Sequence, residues 1–112
     1  MNASTRAARQ LIRQRTRTQR AAARIRRNGH ATIATHAIAQ GLTHREAASV
    51  AGSLRKAAAK LRITGTQVRV HAGRHMRDAR HYTPAEVAAM CTIYRPRKTE
   101  YKIVAARLAL AA

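Results

Sequence analysis

Arginine is the residue with the most chemistry to offer in this chain. Arg6, Arg9, Arg13, Arg17, Arg20, Arg24 and Arg27 recur at intervals of three or four, the spacing that lines side chains along one stripe of a helix. A guanidinium is planar, permanently charged and carries a fork of donors that matches phosphate oxygens or the edge of guanine. A stripe of them is therefore built for a polyanion. No acidic residue precedes Glu46, whereas ten arginines do, so nothing in the front third of the chain neutralises that stripe. Over all 112 residues, 23 Lys and Arg face four Asp and Glu, for a formal net charge of +19 and a pI near 12.0. A chain so charged binds nucleic acid by default, because each phosphate it neutralises releases condensed counterions.

Other chemistries find fewer residues. The four carboxylates are scattered, and no Ser/His/Asp set or glycine-rich phosphate loop accompanies them, so the chain reads as no enzyme and as needing no cofactor. His71, His75, His81 and Cys91 offer nitrogen and sulfur donors, but no Cys-x-x-Cys pair joins them and arginines surround them; no metal site is assigned. Tyr82, Tyr94 and Tyr101 lie among Arg80, His81, Arg95 and Lys102, a mixture that suits stacking on RNA bases. They are equally the largest core residues of a chain without Phe or Trp, the role favoured for Tyr101. A lone Cys91 excludes an internal disulfide and fits a reducing compartment. No apolar run approaches the ~20 residues of a membrane span, and a membrane-surface helix would need Trp, Phe or a Leu stripe. The Arg-rich, acid-free first 27 residues also suit a transit peptide, although the remainder is just as basic. A cytoplasmic place on nucleoid or ribosome is the expectation.

These residues must be positioned by a thin core. Of 51 apolar residues, 26 are Ala and 18 are Leu, Ile or Val. Helix suits that composition best, since Ala and Arg have high helix propensity and small side chains let helices approach closely. The expected fold is all-α, a small bundle of four to five helices with a basic N-terminal helical arm, divided into an arm at 1–29 and a helical domain at 30–112. Asn2, Ser4 or Thr5 caps the arm and Asn28-Gly29 ends it; at ~1.5 Å per residue it would be about 35 Å long, close to one turn of duplex DNA. Residues 31–40 form a short helix ended by Gly41. Thr43 and Glu46 make a capping box that opens a helix with Ala47, Val50, Ala51, Leu54, Ala58 and Leu61 inward. Gly52-Ser53 is either a tolerated weak spot or a turn. Residues 67–70 alternate like a strand, and 74–80 could form a helical turn after Gly73. Thr83, Pro84 and Glu86 start a further helix that should stop near Tyr94-Arg95, and Pro96 opens the last.

The run Leu42, Thr43, His44, Arg45, Glu46, Ala47, Ala48, Ser49, Val50, Ala51 and Gly52 resembles the opening of a helix-turn-helix unit, over about 20 residues. With the turn at Gly52, the resemblance implies that Arg55, Lys56, Ala59, Lys60 and Arg62 face the major groove; Ser53 departs from the pattern, where an apolar residue is usual. A second register puts Ile33, Ala37, Gly41, Leu42, Ala47 and Val50 in the structural places and His44, Arg45 and Ser49 on DNA. One unbroken helix from 44 to 62 is a third reading. Residues 83–110 are similar to the same theme, with Arg95, Arg97, Lys98 and Lys102 at the front of the second element.

The leading expectation is a small DNA-binding protein, a regulator or architectural factor of a phage, plasmid or bacterium, whose arm tracks phosphates while a helix docks. An RNA-binding, ribosome-associated protein is the main alternative, and a cationic adaptor or inhibitor of an acidic protein is the third. A homodimer would suit both the thin core and paired half-sites.

Overall fold

A computed structural model of the chain describes residues 2–111, with the side chains of Val70 and Ala72 left aside. In chain order it contains α1 (Ala3–Asn28), α2 (Ile33–Ala39), α3 (His44–Lys60), strands β1 (Thr66–Ala72) and β2 (His75–His81), α4 (Pro84–Cys91) and α5 (Thr99–Leu110). The helices begin where polar caps dictate. Asn2 accepts from the Thr5 amide, Thr32 from Thr35, and Thr43 and Thr83 each complete a capping box with the glutamate three residues on. Gly29 ends α1 in the left-handed conformation and its amide returns to the Ile25 carbonyl.

Packing runs from α1 to α2, α2 to α3, α3 to α4 and α4 to α5, with α2 also touching α4 and α5. Ile33, Val50, Leu54, Val87 and Met90 are the largest fully buried side chains. Ala37, Ala47 and Ala51 have no exposed surface at all, which is how an alanine-rich core compensates for few large residues: the helix backbones come close enough to leave no gap. Only the second half of α1 joins this core, through Ala21 with Ala22 and Ile25 half-buried, while residues 2–13 are exposed throughout.

The fold is broadly helical yet not all-α. Residues 74–80, expected as a helical turn, form most of β2, paired antiparallel with β1 from Thr66↔His81 to Ala72↔His75. The pairing leaves a two-residue loop, Gly73-Arg74, with glycine at the first central position and φ +66, the arrangement of the tight turns that match strand twist. The hairpin is tied to the helices at its base. Ala31, between α1 and α2, exchanges both backbone hydrogen bonds with Tyr82, at 3.1 and 2.8 Å. The Tyr82 carbonyl also accepts from His36 Nε2 at 2.7 Å, and His36 is only 3% exposed. Arg80 Nη1 donates to the Thr64 carbonyl at 2.8 Å.

α3 passes through Gly52 unbroken and ends at Lys60, so of the open alternatives the single helix with Gly52 as a tolerated weak spot is the one formed; a single glycine in a helix costs only about 0.5–1 kcal/mol relative to alanine, which the packing of Val50, Ala51 and Leu54 outweighs. Two further boundaries differ from expectation. α4 stops at Cys91, short of Tyr94-Arg95, and α5 starts at Thr99 instead of Pro96. The seven-residue connection between them places Arg95, Arg97 and Lys98 in a loop, not at the front of a second helix.

Two glycines make opposite predictions. A Cβ on Gly52 meets nothing within 4 Å, so Gly52→Ala should raise stability by about 0.5–1 kcal/mol. Gly65 has φ +66, and a Cβ there would lie 2.7 Å from the His81 carbonyl oxygen and 2.8 Å from the Tyr82 ring. Gly65→Ala should therefore cost about 2–4 kcal/mol. Thermal unfolding followed by circular dichroism checks both; a loss at Gly52 or indifference at Gly65 contradicts this packing.

Candidate nucleic-acid interface

α2, the connection at residues 40–43 and α3 form a compact two-helix unit. Gly41, at φ +101, lets the chain reverse, and Gln14 Nε2 on α1 donates to the Gly41 carbonyl at 2.8 Å, clasping the connection from behind. Ile33, Ala37, Leu42, Ala47 and Val50 are buried within the unit, the places that the second register assigned to them. Since α3 is continuous, the register with its turn at Gly52 is not formed.

The outward face of α3 follows from the same periodicity. Ala47, Val50, Leu54, Ala57 and Ala58 point inward, and His44, Arg45, Ala48, Ser49, Ser53, Arg55, Lys56, Ala59 and Lys60 are exposed. At 3.6 residues per turn, Arg45, Ser49, Gly52 and Lys56 fall within about 60° of one another, directly opposite Leu54. Small residues thus occupy the middle of the face and cations its two ends. Lys60 and Arg62 follow, Lys60 in the last turn and Arg62 in the link to β1, where it adopts φ +58.

Other basic groups gather around this face. Arg17, Arg20 and Arg24 of α1 line a cleft with Thr35, Ile38 and His44, at the start of α3. Arg95, Arg97 and Lys98 line another with Ser49, Ser53 and Tyr101. On a third side Arg55 of α3 shares a cleft with Arg77, Asp78 and Arg80 of the hairpin. Three clefts of about 310 to 400 Å³ therefore border α3, each with several cations. Not every expected residue joins them. Arg6, Arg9 and Arg13 lie on the exposed first half of α1, Arg27 at its far end and Lys102 on α5, outside these clefts. The hairpin adds the cations Arg69, Arg74, Arg77 and Arg80, of which Arg77 and Arg80 line the cleft with Arg55, and none of the four was among the candidate residues; the signal that locates them is Gly73-Arg74 as a two-residue turn after an alternating run.

The acids do not offset these cations. Glu46 and Glu86 are committed to capping boxes, and Glu100 sits in the first turn of α5, where the helix dipole favours it. Asp78 reaches Arg69 at 4.0 Å with both side chains more than half exposed, a contact worth little in water. Tyr82 is buried, while Tyr94 and Tyr101 are partly buried and pack against the core. Burial pushes the Cys91 thiol up to about 11, so it stays protonated at neutral pH. Among the described residues no three His, Cys, Asp or Glu side chains gather as a metal site.

The histidines at the hairpin base are a separate electrostatic feature. His30 and His81 share a hydrogen bond between their Nδ1 atoms at 2.9 Å, which requires one to donate and the other to accept. Burial holds the pKa of His81 below its ordinary value, and the neighbouring His30 adds to this. Burial likewise depresses His36, opposed by its bond to Tyr82 and reinforced by His81. A depressed histidine makes the folded state bind fewer protons than the unfolded chain, so stability is full above pH ~6.5 and falls as the pH drops toward the depressed values. The melting temperature should be several degrees lower at pH 5 than at pH 7.5, and His81→Asn should shrink that difference; equal melting temperatures at both pH values would contradict it. Comparison with known protein families, curated proteins and solved structures found no match to this chain.

Proposed function

We propose that the protein binds duplex DNA, with α2, its connection and α3 acting as a helix-turn-helix unit and α3 entering the major groove. The observation that carries this reading is the outward face of α3, small at Ser49 and Gly52 and cationic at Arg45 and Lys56, on a helix bordered by three basic clefts. A B-DNA major groove about 12 Å wide admits a helix, and small residues at the centre let the backbone approach the base edges. Arg45 and Lys56 then reach bases or flanking phosphates. Arg17, Arg20 and Arg24 on one side and Arg95, Arg97 and Lys98 on another hold the strands, and the β1–β2 hairpin flanks α3 as a wing. Arg6, Arg9 and Arg13 extend the phosphate contacts along the duplex. The role is that of a DNA-binding regulator or architectural factor.

Duplex DNA is favoured over RNA for two reasons. The major groove of A-form RNA is too narrow for such a helix, and single-stranded RNA modules stack bases on open aromatic rings, whereas Tyr82 is buried and Tyr94 and Tyr101 are partly covered by the core.

Fluorescence anisotropy with labelled duplex tests the proposal, with structured RNA as competitor and salt as variable. Log affinity should fall with log salt at a slope of about −0.9 per neutralised phosphate. Arg45→Ala should cost about 1–3 kcal/mol on a preferred site and relax its sequence preference, while Arg20→Ala should weaken all sequences alike and lower the slope by about 1. Gly52→Leu should abolish tight binding with the fold intact, since its side chain projects into open space. Indifference of duplex binding to Arg45→Ala and Gly52→Leu, or preferential capture by RNA, would overturn it.

A further inference from the structure

On the side of the helical core formed by α1, α2, α4 and α5, a cleft of about 160 Å³ opens between the elements. Its walls include Ala22, Ile25, Ala39, Val87 and Leu108, all apolar. A dry cavity of about 150 Å³ is enough to take up one benzene ring, so the cleft has the size of a single six-membered ring, with room for substituents only against its wall or at its open mouth.

Three polar residues also line it, and their burial sorts them by depth. His36 is almost fully buried, so it belongs to the inner wall. Its Nε2–H is committed to the Tyr82 carbonyl, which can only accept; in the uncharged ring that burial favours, Nδ1 is then an acceptor. The inner wall asks for a hydrogen-bond donor. Arg26, in the last turn of α1, is exposed and belongs to the mouth, where its fork of donors suits a carboxylate. Gln40 caps the C-terminus of α2 beside them. The helix ends at the cleft carry partial charges of both signs, since α1, α2 and α5 present C-terminal turns there and α4 its N-terminal turn from Pro84 to Val87, so the polarity of the site is set by His36 and Arg26.

We propose that this cleft binds a small aromatic acid carrying a hydroxyl opposite its carboxylate, of the 4-hydroxybenzoate class, with the ring between α1, α2, α4 and α5, the hydroxyl donating to His36 Nδ1 and the carboxylate on Arg26. The ring of His36 connects the cleft to the hairpin base, because its other nitrogen holds the Tyr82 carbonyl. Occupancy is thus sensed where the hairpin joins the helices.

The test is titration of the full chain with 4-hydroxybenzoate, followed by amide NMR, with phenol and benzoate as partial probes. 4-Hydroxybenzoate should give saturable shifts at Ile25, Ala39 and Val87 and also at Tyr82, about tenfold tighter than either phenol or benzoate, as expected for one hydrogen bond or ion pair apiece. Arg26→Gln, at an exposed position that leaves the core untouched, should bring 4-hydroxybenzoate down to the level of phenol. Absence of saturable shifts at millimolar ligand overturns the proposal, as does binding that Arg26→Gln leaves unchanged or that benzoate and phenol match.

Discussion

The carbonyl oxygen of Tyr82 is the point on which the architecture turns. It accepts the Ala31 amide and His36 Nε2 together, using both lone pairs, and so brings three parts of the fold to one atom: the link between α1 and α2, the interior of α2, and the end of β2. A two-stranded hairpin is marginal in water on its own. Here its base is extended by the one-residue bridge between Ala31 and Tyr82, and on the β1 side Gly65 leaves no room for a side chain against the Tyr82 ring. Burial holds the pKa of the histidine that completes the junction below its ordinary value, so the junction is a point at which the fold is sensitive to acid.

The electrostatic design follows a division of labour. Two of four carboxylates are spent on helix starts and a third lies in the first turn of α5, so the cations keep their full field at the surface. Self-repulsion is the cost, and the molecule tolerates it because the cations are spread over α1, α3, the hairpin and the α4–α5 loop while the core is closed by alanine and a handful of branched residues. Such a field draws a polyanion from a distance, and its strength depends on ionic strength.

Much of this was legible from local chemistry. Asn2, Thr43 and Thr83 announced helix starts, Gly29 and Gly41 announced stops, and Ala47, Val50, Ala51, Leu54 and Ala58 point inward as their spacing indicates, because each signal acts within a few residues. Leu61, expected inward on the same spacing, is exposed because α3 ends at Lys60 and Leu61 is its C-cap. The second strand was hidden. Its residues, His75 to His81, carry no alternation of apolar and polar groups, since β2 is exposed on both faces over most of its length and its register comes from the Gly73-Arg74 turn and the distant Ala31. The continuity of α3 through Gly52 and the partners of His36 likewise depend on tertiary packing. For the candidate interface, the arginine stripe of α1 and the cations of α3 could be read directly, whereas setting aside the register with its turn at Gly52 required knowing that α3 runs unbroken from His44 to Lys60.

The single rod of α1 has a geometric corollary. Its second half is fastened, through Ala21 to the core and Gln14 to Gly41, and its first half continues in the same helix without a break. The leading arginines are therefore phased, like teeth on a shaft keyed at one end. Inserting one residue between Arg13 and Gln14 would rotate Arg6, Arg9 and Arg13 by about 100° about the axis and advance them by only about 1.5 Å. Azimuth, far more than reach, is what the length of this segment controls.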